Sequence, residues 1–502
     1  MGPATAKCTV RHMKRFLRLW LCAACAMALF GCGDGASDPD ASTPAPDGAV
    51  RDAGGDGRDA ETPTEDGGTP PPPSDWAPQP WEDCEGGGRT LSAGPDDYRD
   101  VLDTLEPGDT LQLAPGDYVR GLPLRRSGED GRCIVIEAAD AADRPRFEGS
   151  DAFNIIAVHG ASWIKVRHLD VDGLGRAGFG VASQGGTDAP THHVVIEGLT
   201  MTGLGGDQQI VGVSTKSPAW DWVIRGNRIE GAGTGLYLGN SDGNQPFIRG
   251  VIELNTVLDP IGYCMQIKHQ NARPDLPGMP TGESHTIIRH NVFAKTRGAS
   301  TGGSARPNLL LGHLPGGGVG ADDTYLVYGN FFYDNSTEML MQAEGNLAIY
   351  ANVFVNPHGG ALTVQPHNGT PRRVDVFFNT IVAEGRGLRV TGGDAGFAQR
   401  VRYNAVFGPM PLSADDEAGN VTGDSAAGML AMPSGDPGSG LDLHPLPGTL
   451  EASVDMSELP GVLHADRDFD GRPRTGGFVG AYAGPADAST VPLTLMARPR
   501  PE

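Results

Sequence analysis

From Thr90 onward the chain alternates apolar and polar positions in short runs broken by Gly, Pro, Asp and Asn, the period-two pattern of strands with one buried face. Only residues 96–105 read as helical. Thr110-Leu111-Gln112-Leu113, lying between Pro107-Gly108-Asp109 and Pro115-Gly116-Asp117, reads as a strand framed by turns. The runs Trp163 to Leu169, His193 to Leu199 and Trp222 to Asn227 align with one another. Their phase continues through Asn255, Asn291, Asn330, Asn352, Asn379 and Asn404, at spacings of 22 to 39 residues. Such spacing marks a stacked repeat, and short strands with variable loops predict a β-solenoid rather than a helical array. The seven consecutive Asn anchors predict a ladder of stacked amides. Asn tolerates the left-handed conformation of a sharp turn, and its amide both donates and accepts along a column.

A second strand follows each Asn turn: Leu236-Tyr237-Leu238-Gly239, Met265-Gln266-Ile267-Lys268, Leu309-Leu310-Leu311-Gly312, Met339-Leu340-Met341-Gln342, Leu362-Thr363-Val364-Gln365 and Leu388-Arg389-Val390-Thr391. With Leu238, Ile267, Leu311, Met341, Val364 and Val390 inward, Lys268, Gly312, Gln342 and Gln365 form an outward column. Gln266 lies on the same strand as Lys268, and His269, His313, Glu344 and His367 fall at the turns beyond.

Composition changes the picture upstream. A basic start, Met13 to Arg18, precedes the apolar run Leu19 to Phe30, too short to span a bilayer, so it reads as a signal peptide. Leu29-Phe30-Gly31-Cys32 resembles a bacterial lipobox, which implies lipidation at Cys32 and a membrane anchor. Residues 33–80 hold ten Pro, eight Gly and a net charge of −9, the composition of an extended tether. The expected organisation is a leader at 1–31, anchor site and tether at 32–80, the solenoid at 81–410, and C-terminal coils, cap and tail at 411–502. Without its leader the chain has 62 acidic against 34 basic side chains, a net of −28, which argues against a nucleic-acid partner. In an exported chain Cys84 and Cys133 could form one disulfide, and Cys264 sits inside an apolar strand pattern.

With the repeat in hand, residues 90–410 resemble the right-handed parallel β-helix of the pectate lyase-like superfamily, the opening segment resembling its N-terminal cap. Pro107-Gly108-Asp109-Thr110, Gly116-Asp117-Tyr118 and the segment Asn255 to Lys268 are similar to polysaccharide lyase family 6, whose members cleave alginate or chondroitin-type chains. The resemblance implies an all-β solenoid, an acidic-polysaccharide partner and Lys268 as catalytic base. It implies His313 as the histidine of an arginine-histidine pair whose arginine is here Gly312. Where the family carries calcium-binding carboxylates, this chain has Tyr263 and Ile261. Calcium is the cofactor the family would bring, and no cofactor is expected.

The charges favour the same region. Residues 265–313 hold Lys268, Arg273, Arg289, Lys295, Arg297 and Arg306 against Asp275 and Glu283, a net of +4 that would attract an acidic glycan. β-Elimination from a uronate needs a carboxylate neutraliser, a base and a proton donor. Lys268 is the candidate base, with Gln266, His269, Gln342, Glu344, Gln365, His367 and Arg289 as candidate substrate contacts. Arg289 also sits in the phase of Arg225 and Glu253, where a cross-strand charge ladder is expected. Hydrolysis would need paired carboxylates, for which Asp322-Asp323 is the adjacent pair in the central coils, although it reads better as a turn cap. Asp466-Arg467-Asp468-Phe469-Asp470-Gly471 resembles the start of a calcium loop, but Gly477 stands where its final Glu would be. The residues leave three functions open: a lyase-like enzyme, a non-catalytic adhesion or structural protein, and a glycoside hydrolase. Export to the cell envelope, at the outer membrane or cell surface, is expected in each case.

Overall fold

The structure is a computed structural model that describes residues 80–496 apart from 475, 476, 489 and 491. Cys32, the leader and nearly all of the tether lie outside the described residues.

Three long parallel sheets of 14, 11 and 12 strands run the length of the described chain, each strand hydrogen-bonded to its equivalent one coil away. A typical coil runs from Val251–Glu253 in the first sheet through the Asn turn to Thr256–Leu258 in the second. It continues through a loop to Met265–Ile267 in the third, then a longer loop to His285–Arg289 back in the first. This is a right-handed parallel β-helix, the handedness that strand twist dictates for parallel crossovers. The helix Tyr98–Leu102 caps its first coil, burying Tyr98 and Leu102.

Alternation fills the interior. Ile224, Ile252, Ile288 and Val327 line the first sheet, Val257, Phe293, Phe332 and Phe354 the second, and Leu238, Ile267, Leu311 and Val364 the third, all fully buried. Phe332 and Phe354 stack at 4.5 Å. Each such side chain contributes about 1.5–3 kcal/mol through burial, so the solenoid is held by repetition of one modest contact.

Asn227, Asn255, Asn291, Asn330, Asn352, Asn379 and Asn404 form the ladder: each Oδ1 accepts from the backbone N–H of the preceding rung at 2.9–3.0 Å. Asn420 adds one more rung. The left-handed residue of each turn is not the Asn itself. It is the residue before: Gly226, Leu254, His290, Gly329, Ala351, Phe378 and Tyr403 have φ between 50° and 64°. The amide is therefore selected for its four hydrogen bonds rather than for a permissive backbone.

The outer face of the first sheet is covered at both ends. Arg225 and Arg289 grip Glu253 at 2.5 and 2.7 Å. In the early coils Glu82 and Asp83 pair with Arg225, while Glu85 pairs with Lys165 and Arg167, so residues 82–85 strap the sheet. Cys84 and Cys133 form a disulfide beside this strap, with their Cα atoms 6.0 Å apart. In the later coils the C-terminal segment packs back. Tyr350 donates to the carbonyl of Leu463, Arg474 lies 3.9 Å over Phe378, and Phe469, Val479, Ala481 and Tyr482 join an apolar cluster with Phe331, Val353 and Phe407 of the second sheet.

Candidate functional site

That leaves the outer face of the third sheet and the turns that follow it. Two outward columns run along this face. Tyr237, Gln266, Leu310, Gln342, Thr363 and Arg389 are successive partners in one. One residue past the inward position lie Lys216, Gly239, Lys268, Gly312, Glu344 and Gln365, each tied to the coil below by its backbone N–H. The expected column thus changes in one place. Gln342 belongs with Gln266, where it donates to Glu338 at 3.3 Å, and Glu344 takes its place beside Lys268. Met341 is inward as expected but pairs with Leu309, and Ala343 is the partner of Leu311. The alternation is right and the rung is displaced by two residues.

Glu344 is 2% exposed and carries the turns rather than facing solvent. Its carboxylate accepts from the backbone N–H groups of His313, His367, Asn368 and Gly369 at 2.8–3.2 Å. One carboxylate thereby ties its own turn to the turns on either side and fixes the His313 backbone. The His269 and His313 rings stack at 5.2 Å. His313 Nδ1 lies 3.1 Å from the Leu314 carbonyl, so its N–H donates there and Nε2 keeps the lone pair in the neutral ring. Burial, then the charge of Lys268, lowers the pKa of His269. His269 Nδ1 is buried without a hydrogen-bond partner, and His367 is exposed.

Gly312 explains the absent arginine. A Cβ at 312 would sit 2.3 Å from the backbone nitrogen of His269, so the chain closes where a longer side chain would start.

The net +4 of residues 265–313 does not become a basic patch. Arg273 is bound by Asp323, Arg289 by Glu253, and Arg297 by Glu230 and Asp259. Lys295 is 1% exposed and donates to the carbonyl of Arg306 at 2.6 Å; burial depresses its pKa to about 8. Arg306 turns back on the carbonyls of Gly303 and Ala305. Arg289 also donates to Tyr328 at 3.0 Å and lies in the first sheet, away from the other candidate contacts. The acids that neutralise these cations come mostly from other coils.

Two residues that the sequence reading passed over belong to this face. The ammonium of Lys216 lies 4.2 Å over the Tyr237 ring, and its pKa is lowered by burial and then by the charge of Lys268, two coils further on. Tyr237 lies in a strand already read from the sequence, and extending the alternation back to Val211–Thr215 would have exposed Lys216.

The remaining candidates have structural partners. Asp323 accepts from Arg273 and from the backbone of Ser284 at 2.9 Å, with burial raising its pKa to about 6, while exposed Asp322 meets Arg373 at 3.1 Å. Asp468 accepts from the backbone of Asp470, Arg472 and Ala483, and Asp470 meets His444 at 3.0 Å. Among the described residues no cluster of His, Cys, Asp and Glu has the arrangement of a metal site. Cys264 is a buried free thiol whose pKa burial pushes up to about 12.

The site therefore belongs to a parallel β-helix and lies on the polar outer face of its third sheet. No family model matches the chain, and no curated protein matches it. Among solved structures, it is similar to an alginate lyase from Paenibacillus sp. str. FPU-7 at 15% identity and a TM-score of 0.35, covering 66% of this chain and 95% of that one. It is similar to the PL6 family alginate lyase AlyGC at 14% identity and a TM-score of 0.42, covering 68% of this chain and 54% of that one; it thus spans about half the length of that enzyme. A lacto-N-biosidase of family GH136 from Eubacterium ramulus matches at 11% identity and a TM-score of 0.46, covering 67% of this chain and 68% of the other. It is the chain's own strand pairing that defines the fold, and these likenesses add nothing about the reaction.

Proposed function

We propose that this protein binds an acidic polysaccharide along the outer face of its third sheet, carried on the cell envelope by a lipid at Cys32 and held off the membrane by the tether at 33–80. One observation carries the reading of the face: Lys216 and Lys268 stand in a single column close enough for the charge of one to lower the pKa of the other. Two cations that repel across one column are a place where a carboxylate binds with relief of that repulsion. Tyr237, Gln266 and Gln342 supply hydroxyl and amide partners beside them.

The chemistry this set supports best is β-elimination. Lys216 and Lys268 would neutralise the uronate carboxylate, His313 would take the neighbouring proton on its Nε2 lone pair, and the resulting imidazolium would return a proton to the glycosidic oxygen as its C–O bond breaks and the C=C bond forms. A second reading, binding without turnover, is favoured by Tyr263 and Ile261 in place of carboxylates and by the closed backbone at Gly312. The deciding experiment incubates the purified chain with alginate, pectate and chondroitin and follows the ultraviolet absorbance of the conjugated double bond that elimination creates. Absorbance that grows with wild type and is abolished in His313→Ala supports the lyase. Binding that falls in Lys268→Ala and with added salt, without new absorbance, supports the second reading. Wild-type protein that binds none of these glycans refutes both.

A further inference from the structure

On the N-terminal side of Lys268, along the same line of turns after the third sheet and reaching the coil of Lys216, lies an open groove of about 600 Å³. Trp163, His192 and Trp220 line it together with Ser127, Ser162 and Asp188. This volume falls in the range of small-ligand sites.

Its aromatic wall is rigid. The Trp163 ring stacks on His193 at 3.8 Å, His193 Nε2 approaches Asp221 at 3.5 Å, and Asp221 is gripped by Arg249 at 2.5 and 2.6 Å. Trp163, His193, Asp221 and Arg249 all have φ between 53° and 58° or just below it, at 52° for His193, one residue per coil in a single file. His192 stacks on Trp220 at 4.8 Å, and its Nδ1 lies 2.9 Å from that of His193. That contact requires one Nδ1 to accept, which only a neutral ring can do, so the two imidazoles are not both protonated. Burial lowers the pKa of each to about 4.

The wall thus offers flat rings and uncharged polar groups, and the lining holds one carboxylate and no lysine or arginine. A uronate would meet Asp188 with no cation facing it. Trp220 is buried behind the wall, so the apolar C–H face of an uncharged pyranose would pack on the half-buried Trp163 and His192 rings, with its hydroxyls bonded by Ser127, Ser162 and Asp188.

The groove is joined to the lysine column. Residues 268–284 leave the column at Lys268, are clamped to the next coil by Arg273 and Asp323, pack Met279 on Trp220 and Ile248, and put Pro277 into the groove wall. Lys216 opens the turn that leads to Trp220, and Lys268 lies four coils from Trp163, about 19 Å along the axis at about 4.8 Å per coil, a span that one extended glycan can cover.

We propose that the groove holds an uncharged pyranose of the same glycan whose acidic residue lies at Lys216 and Lys268, which makes the ligand a heteropolysaccharide of neutral and acidic sugars rather than a polyuronate. The heteropolymer part rests on the acidic-glycan reading above; the neutral-sugar groove stands on its own residues.

The test titrates the full chain with three probes of matched length: oligogalacturonate, hyaluronan oligosaccharide with its alternating uronate and N-acetylhexosamine, and uncharged chito-oligosaccharide. Wild type should bind the hyaluronan probe about tenfold tighter than the polyuronate, a difference of about 1.4 kcal/mol. Trp163→Ala should remove that preference and the chito-oligosaccharide binding while leaving the polyuronate unchanged, and Trp163→Phe, which keeps a ring, should restore both. Asp188→Lys, on an exposed turn and free of any folding role, should tighten the polyuronate. A polyuronate that wild type binds as tightly as hyaluronan, or a preference that survives both Trp163→Ala and Asp188→Lys, overturns the groove assignment. Chito-oligosaccharide binding that depends on Trp163, with no binding of either acidic probe, refutes the acidic-glycan reading and the heteropolymer while leaving the neutral-sugar groove in place.

Discussion

Replacing Asn291 by Ala tests what the amide ladder is worth. Its Oδ1 accepts from the backbone N–H of Asn255 at 3.0 Å and from Asn255 Nδ2 at 2.9 Å; its Nδ2 donates to the Ile252 carbonyl and to Asn330 Oδ1, each at 2.9 Å. All four partners lie where water does not reach, since Asn255, Asn291 and Asn330 are fully buried. Asn255 Nδ2 keeps the Ile224 carbonyl and Asn330 Oδ1 keeps the Asn291 backbone N–H, so the main loss is one backbone donor and one carbonyl stripped of an amide. At about 1–3 kcal/mol for each stranded buried group, the expected cost is about 4 kcal/mol, a large part of a domain's typical 5–15 kcal/mol. The control is Asn420→Ala. Asn420 is the last rung and part-exposed, so water can take over its bonds to Asn404, and the expected cost is about 1 kcal/mol. Urea unfolding followed by far-ultraviolet circular dichroism and by tryptophan fluorescence measures both. Trp163, Trp220 and Trp222 all precede Asn291, so a solenoid cut at that rung should also lose the coincidence of the two signals. Equal midpoint shifts for the two variants would refute the argument, because they would mean that burial of the rung does not set its worth.

Three further outcomes are expected. Ile267→Asp puts an unpaired charge between stacked coils at a position with no exposure, costs several kcal/mol and should abolish the native melting transition; an unchanged transition would contradict the inward assignment. Cys32→Ser should move the protein from the membrane to the soluble fraction on cell fractionation, and unchanged partitioning would reject lipidation there. His192 and His193 have folded pKa values near 4, below the 6.5 of the unfolded chain, so between those values the unfolded state binds more protons and stability falls as pH drops. The melting temperature of wild type should therefore fall more steeply from pH 6.5 to 5 than that of His192→Phe, and parallel slopes would count against the neutral pair.

The repeat was legible because its cause is local. A buried amide at one place in every coil leaves an Asn in the sequence, and a buried strand face leaves alternation. What alternation gives is the side of the sheet, not the rung. Met339-Leu340-Met341 is apolar without a break, and the lengths of the loops before and after it decide where the strand starts, so Gln342 falls beside Gln266 and Glu344 beside Lys268. The basic cluster misled for a related reason. Counting charges within residues 265–313 leaves out Glu253, Asp323, Glu230 and Asp259, all four of which reach their partners from outside that window. The strap at 82–85 pairs with residues up to 143 positions away, a distance over which no periodic signal survives. The groove at Trp163 and His192 was hidden differently: its aromatic residues lie inside the repeat runs and read there as ordinary strand starts.

The strap and the C-terminal segment have a practical corollary. Residues 82–85 and the segment 463–482 lie against the first sheet and its neighbouring corner, so a reporter or support attached within either segment is delivered to the covered side. The third sheet stays turned toward solution in both orientations. Sensor surfaces and pull-down resins prepared through these two segments should present the same accessible face, whereas a linker inserted in the turns after the third sheet would occlude it.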